Sequence, residues 1–192
     1  MGLVVPPPST IRRIFDEKYD SLGASAAMDW FYKISCASEY IRMNRIRRNL
    51  EWISSTDYGD LIITINLSKP EKDPREIAAL LETPQTNYPR CMLCPENAGY
   101  AGRLNFPARQ TLRMLPLTLN GERWYFQFSP YVYYYQHCIA LREEHVPMHV
   151  TSVTLTRLAD FVDYLPHFFI GSNAGLPIIG GSILDHDHFQ GG

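Results

Sequence analysis

Residues 115–129, LPLTLNGERWYFQFS, decide how this chain is read. Asn120-Gly121 stands between two apolar-rich runs, the strongest short-range signal for a β-hairpin. In the second run Trp124, Phe126 and Phe128 alternate with Tyr125 and Gln127, which predicts one buried face. The next stretch, YVYYYQHCIAL at 131–141, reads as a further strand region. The middle of the chain is therefore expected to be an antiparallel sheet.

Helical signals lie on both sides of it. In TSVTLTRLADFVDYLPHFF, residues 151–169, Leu158, Phe161, Val162 and Leu165 fall at i, i+3, i+4 and i+7. Upstream, Ile11, Ile14, Phe15 and Tyr19 repeat at helical spacing behind PPPST, with Ser9 as a possible N-cap. Residues 24–50 read as helical, with Trp30, Phe31 and Ile34 on one face, and carry the basic cluster IRMNRIRRN, read as a solvated face. DLIITINLS at 60–68 predicts a strand, and PEKDPREIAALLE at 70–82 a short helix entered through a proline-rich turn. Helices, then antiparallel strands, a helix and a final strand make an α+β fold. Residues 1–85 are expected to be a mainly helical lead-in and 86–192 the sheet core, within a single domain.

Composition narrows the function classes. The 192 residues suffice for one sizeable core, with 45% apolar and 20% charged residues. A formal net charge of −2 gives no sign of a nucleic-acid surface or a polybasic membrane patch. No apolar run reaches the roughly 18 residues of a membrane span. MGLVVPPPST has neither a basic n-region nor a long apolar h-region, and Pro6 breaks the myristoylation pattern. A cytoplasmic protein is expected, its four cysteines being free thiols or metal ligands rather than disulfides.

Two motifs carry chemistry. In GGSILDHDHFQGG, residues 180–192, His186, His188 and Gln190 alternate. On a strand they would form one polar row, and the glycines before them would let a ligand approach the backbone. That arrangement can hold a phosphate against an imidazole; the plain alternative is a polar edge strand. In RCMLCPEN, Cys91 and Cys94 form a C-x-x-C whose thiolates can bind one metal ion from a turn. A redox pair would want the motif to open a helix in a βαβ setting, and Pro95 and the hairpin-rich context argue against that. Two further ligands are needed, and His137, His145, His149, His167 and His186 are available. Cys36 and Cys138 read as core residues.

The stretch NAGLPIIGGSILDHDHFQGG resembles the active-site strand of the second sequence class of galactose-1-phosphate uridylyltransferases, members of the histidine-triad superfamily. The hydrolases of that superfamily carry H-x-H-x-H, whereas here the motif ends in Gln190, the transferase form. YGDLIITINLSKPEKDPREIAA, CMLCPENAGYAGRLNFPARQ and FFIGSNAGLPI are similar to the same class, so the resemblance runs from about Ile11 to Gly192.

The resemblance implies a histidine-triad-like antiparallel sheet with flanking helices. It implies that His188 is the nucleophile, that Gln190 donates to phosphoryl oxygens, and that His186 is a metal ligand beside Cys91 and Cys94. The fourth ligand would be His145, with His137 as the alternative, and the ion Zn²⁺. Asn173 and the Gly180-Gly181-Ser182 turn are candidates for contacting the nucleotide, with Asn105 and Arg109 as further candidates. The implied reaction exchanges UMP between UDP-glucose and galactose 1-phosphate, giving UDP-galactose and glucose 1-phosphate. A homodimer is implied for the full-length protein. The family continues beyond this motif, so residues 1–192 are expected to be its N-terminal part and to turn over little alone. The alternatives are a histidine-triad nucleotide hydrolase, which Gln190 disfavours, and a non-catalytic zinc-stabilised fragment.

Overall fold

The computed structural model describes residues 5–67, 88–173 and 183–192. Its elements are α1 (Pro8–Leu22), α2 (Ala24–Ala37), α3 (Met43–Ile46), β1 (Leu50–Thr56), β2 (Gly59–Ile65), a 3-10 turn (Pro95–Asn97), β3 (Leu115–Leu119), β4 (Glu122–Phe128), β5 (Cys138–Arg142), α4 (Ser152–Tyr164), β6 (Ile170–Ser172) and β7 (His188–Gly191). β1 and β2 form a separate antiparallel hairpin, while the other five strands make one sheet in the order β3-β4-β5-β7-β6, antiparallel throughout. The fold is α+β with an N-terminal helical segment.

The β3–β4 hairpin closes at Asn120 (φ 51°) and Gly121 (φ 72°), a two-residue turn whose positive φ values suit these two residue types. Pairing then sorts the side chains onto two faces. Leu115, Leu117 and Leu119 of β3, Trp124, Phe126 and Phe128 of β4, Ala140 of β5 and Phe189 of β7 share the inner face and are all buried. Against that face lie Ile11 and Phe15 of α1, Met28 and Phe31 of α2, and Phe161 of α4. Trp124 and Phe189 stack at 4.8 Å, and the rings of Phe31, Phe126, Phe128, Phe161 and Phe168 continue the cluster. Burying these aromatics takes a large apolar area out of water, each ring accounting for about 150–250 Å². The opposite face carries Tyr125, Gln127, Ile139, Leu141, His188 and Gln190.

Several local expectations are corrected. α1 starts at Pro8 behind Pro7, so Ser9 lies inside the first turn rather than capping it. The helical reading of 24–50 holds only for Ala24–Ala37 and the short Met43–Ile46, and Leu50–Thr56 is a strand. Tyr131–Gln136 is a loop, because Gln136 takes a positive φ of 54° and the His137 ring bonds back to the Tyr131 carbonyl. The last helix stops at Tyr164, two residues before Pro166. The helix expected at 70–82 lies outside the described residues.

Candidate active site and metal centre

β7 sets the site. His188 pairs with Leu141 and Gln190 with Ile139, so both side chains stand on the face away from the core while Phe189 is held inside. His186 does not join them in one row. The ladder begins only at His188, because the Asp187 N–H turns to the Val146 carbonyl (2.7 Å) and the Asp187 carboxylate is taken by Arg157 (3.3 Å). The His186 ring is thereby carried to the other side of the turn, toward the C-x-x-C.

There Cys91, Cys94, His145 and His186 converge, with all four ligand atoms within 4.8 Å of one another. Cys91 Sγ lies 3.5 Å from Cys94 Sγ and 3.2 Å from His186 Nδ1. Cys94 Sγ lies 3.1 Å from His145 Nδ1 and 3.8 Å from His186 Nδ1. A tetrahedral S₂N₂ centre with metal–sulfur bonds of about 2.3 Å and metal–nitrogen bonds of about 2.0 Å has edges of roughly 3.3–3.8 Å, so the donor set fits such an ion. The outer partners fit as well. His186 Nε2–H donates to the Arg142 carbonyl at 2.7 Å, and His145 Nε2 faces Asp185 Oδ2 at 3.3 Å, which leaves both Nδ1 atoms for the ion. Buried Asn97 clamps the turn by donating to the carbonyls of Cys91 and Cys94, each at 2.8 Å. Burial pushes the Cys91 thiol up to about 12 when no cation is beside it; a bound metal would reverse that preference.

His188 is buried, and its Nδ1–H donates to the His186 carbonyl at 2.8 Å. Burial lowers its pKa below the ordinary imidazole value, opposed by that hydrogen bond and by Asp187. The ring is thus a neutral imidazole near pH 7 with its Nε2 lone pair free. It opens on a cavity of about 210 Å³ lined also by Gln190, Gln127, His137, Arg109, Tyr40 and Tyr131. His137, the alternative metal ligand, is not at the metal centre. Its Nδ1–H donates to the Tyr131 carbonyl at 2.7 Å, which leaves Nε2 as an acceptor 3.2 Å from the terminal amide of Gln190. The Gln190 amide therefore gives one N–H to His137 Nε2 and keeps its second N–H for the cavity.

The other candidates separate. Arg109 lines this cavity and also a neighbouring one of about 160 Å³, shared with Arg42 and Arg45 of the basic cluster. Asn105 accepts from Arg103 Nε at 2.6 Å and does not line the cavity. Asn173 follows β6 and does not line it either. Gly180, Gly181 and Ser182 lie outside the described residues. Sequence reasoning missed Gln127, Asn97 and Arg157. Gln127 stood in the alternation of β4 and was readable as facing away from the core, whereas Arg157 is buried only because Glu122 and Asp187 come to it.

The chain matches the family described as galactose-1-phosphate uridyl transferase, N-terminal domain, over residues 1–147. A galactose-1-phosphate uridylyltransferase of Caldanaerobacter subterraneus subsp. tengcongensis is 57% identical over 192 residues, all of this chain and 37% of that relative. The enzyme of that name from Butyrivibrio fibrisolvens is 54% identical over the same span, 49% of its length. The one from Bacillus subtilis is 55% identical over 37% of its length. This chain therefore spans between 37% and 49% of the length of these relatives. No solved structure matches it.

Proposed function

The chain belongs to the galactose-1-phosphate uridyl transferase family, matching its N-terminal domain, and on that premise we propose that it transfers UMP between UDP-glucose and galactose 1-phosphate through uridylyl-His188. The observation that carries the reading is the His188 ring: Nδ1–H bound to the His186 carbonyl, Nε2 open to a cavity shared with Gln190.

The Nε2 lone pair attacks the α-phosphorus of UDP-glucose, the bond from that phosphorus to the bridging oxygen breaks, and glucose 1-phosphate leaves with the electron pair. The ring becomes an N-phosphoryl imidazolium, and the His186 carbonyl stabilises the charge through Nδ1–H. A phosphate oxygen of galactose 1-phosphate then attacks the same phosphorus. The N–P bond breaks, and neutral imidazole and UDP-galactose result. Neither leaving group needs a proton, because a phosphate monoester departs as a stable anion. Gln190 suits this chemistry: its amide donates to a non-bridging oxygen and cannot shuttle protons to water. Residues Cys91, Cys94, His145 and His186 would hold a zinc ion. With four protein ligands it would supply a closed structural centre that fixes the turn carrying His186.

Residues 1–192 form the N-terminal domain of a cytoplasmic homodimer in this reading, with negligible turnover by themselves. The histidine-triad hydrolase alternative is disfavoured by Gln190. The test is brief exposure of the intact protein to UDP-glucose, followed by peptide mass spectrometry. A uridylyl group on His188, lost in His188→Gly and released by galactose 1-phosphate, is expected. A uridylyl group on His186, an adduct that persists in His188→Gly, or release of UMP without an acceptor would refute it.

A further inference from the structure

His137 is 3% exposed and stands at the wall of the cavity that holds His188 and Gln190. It belongs neither to the metal centre nor to the bond-making atoms of the transfer, yet its ring is fixed from several sides. Its carbonyl accepts from the Ser129 N–H at 2.8 Å, and its own N–H donates to the Tyr134 carbonyl at 3.2 Å. The Tyr133 and Tyr134 rings pack against it with centroids at 5.2 and 4.9 Å. Nδ1–H is spent on the Tyr131 carbonyl at 2.7 Å, so Nε2 keeps a lone pair, and that lone pair meets the Gln190 amide at 3.2 Å. Strand pairing explains the meeting. Ile139 opposes Gln190, and His137, two residues before Ile139, is the diagonal neighbour of Gln190. Both ring nitrogens are thus engaged within the protein.

A glutamine amide has two orientations, related by a half-turn, that exchange its oxygen and its nitrogen. At Gln190 they are opposites for a phosphoryl group. One offers an N–H to a non-bridging oxygen, and the other sets a carbonyl oxygen in the same place. A rigid lone pair beside the amide stabilises the first and repels the second. We propose that His137 is a positioning residue for the transfer, its Nε2 holding the Gln190 amide with the second N–H toward the phosphoryl oxygen. The proposal rests on the uridylyl-transfer reading above, which supplies the phosphoryl group, and adds what aims the donor before substrate arrives. His137 itself touches no reacting atom.

The experiment is rapid-quench measurement of uridylyl-His188 formation when the intact protein meets UDP-glucose over a range of concentrations. Two variants divide the functions of the ring. His137→Asn keeps an N–H near the position of Nδ1, for the Tyr131 carbonyl, and removes the acceptor. His137→Gln places an oxygen near the position of Nε2, as an acceptor for Gln190, and gives up the bond to Tyr131. In His137→Asn the rate at saturation is expected to fall about tenfold, the population ratio that one hydrogen bond sustains, while the half-saturating concentration changes less than about twofold. His137→Gln should return the rate to within about threefold of wild type. In a Gln190→Ala background His137→Asn should add less than about a twofold loss, because the amide it positions is gone. A wild-type rate in His137→Asn overturns the proposal. So does a slow His137→Gln beside a normal His137→Asn, which would assign the ring to shaping the tyrosine loop. A change confined to the half-saturating concentration overturns it as well, by making His137 a binding group. Where both variants are slow, the Gln190→Ala background decides: a His137→Asn loss that disappears there supports positioning, and one that multiplies in full refutes it. If wild type forms no adduct, the transferase reading fails and the proposal with it; if wild type and His137→Asn form it alike, only the positioning role fails.

Discussion

Replacing Arg157 with methionine is expected to cost about 3–5 kcal/mol of folding stability, far more than an ordinary surface ion pair. The magnitude follows from what the guanidinium holds. Nη2 meets Glu122 at 2.8 Å and Nη1 meets Asp187 Oδ2 at 3.3 Å, with side-chain exposures of only 9% for Arg157 and 7% for Asp187. The same group lies over the Trp124 ring at 5.4 Å. Methionine fills much of the volume but abandons the Asp187 carboxylate in a buried position, and that stranded charge accounts for most of the loss. Asp187→Asn added to Arg157→Met removes the charge and should restore about 1–3 kcal/mol, a coupling typical of residues in one network. The assay is urea unfolding of wild type, both single variants and the double variant at pH 7. The slope should be unchanged, so that midpoints report stability. The reaction should suffer too. Asp187 separates His186 from His188, and a displacement of about 1 Å in a reacting group can cost roughly a hundredfold in rate. A loss below about 1 kcal/mol in Arg157→Met, or strict additivity in the double variant, would refute the stranded-charge argument.

Other perturbations test other parts. Cys91→Ser should lower metal content from about one ion per chain to a small fraction of that, measured by elemental analysis of the purified proteins. In Gly191→Ala the new Cβ would meet the Phe169 carbonyl and the Ile170 side chain, so the β6–β7 pairing must give way; a loss of about 1–3 kcal/mol in chemical unfolding is expected. Glu122 has its carboxyl held below the ordinary range, first by the hydrogen bond from Arg157. A depressed folded-state pKa contributes stability that is present above the unfolded-state value and lost as pH falls through the folded one. The stability gap between wild type and Glu122→Gln should therefore be widest near neutrality and close in acid, below about pH 4; a gap constant across pH would count against the pairing.

Legibility in the sequence tracked burial. The β3–β4 hairpin was readable because its turn needs Asn120 and Gly121 in positive φ and because β4 has one wholly buried face. The α4 stripe was readable for the same reason: Phe161 and Leu165 are buried, with Leu158 and Val162 packed beside them. β1 was not, since Trp52 and Ile53 are both exposed and no core face imposes an alternation on it. The run of tyrosines from Tyr131 carries strong β propensity, yet a ring-to-backbone hydrogen bond from His137 folds it into a loop, and propensity yields to that contact. The C-x-x-C was legible from spacing alone as half of a donor set that fits a metal ion. Its completion by His145 and His186 depends on a turn after β5 and another before β7, about 40 residues apart, which no local pattern reveals.

The alternation His188-Phe189-Gln190 ties the chemistry to the core. Phe189 is fixed between its neighbours by stacking on Trp124, so the two polar side chains on either side of it inherit the position of a fully packed strand. The preceding dipeptide is anchored differently. The His186 ring is gripped by the cysteines and the Arg142 carbonyl, and the Asp187 carboxylate by Arg157, one on each side of the chain. Those two anchors aim the His186 carbonyl at His188 Nδ1, and that carbonyl decides which ring nitrogen keeps the proton. A strand that ran straight through His186 would point its ring into the cavity beside His188 and leave Nδ1 without this acceptor. The departure from regular pairing at Asp187 is therefore what turns the His186 and His188 rings to different surroundings within three residues, one beside the cysteines and one on the cavity.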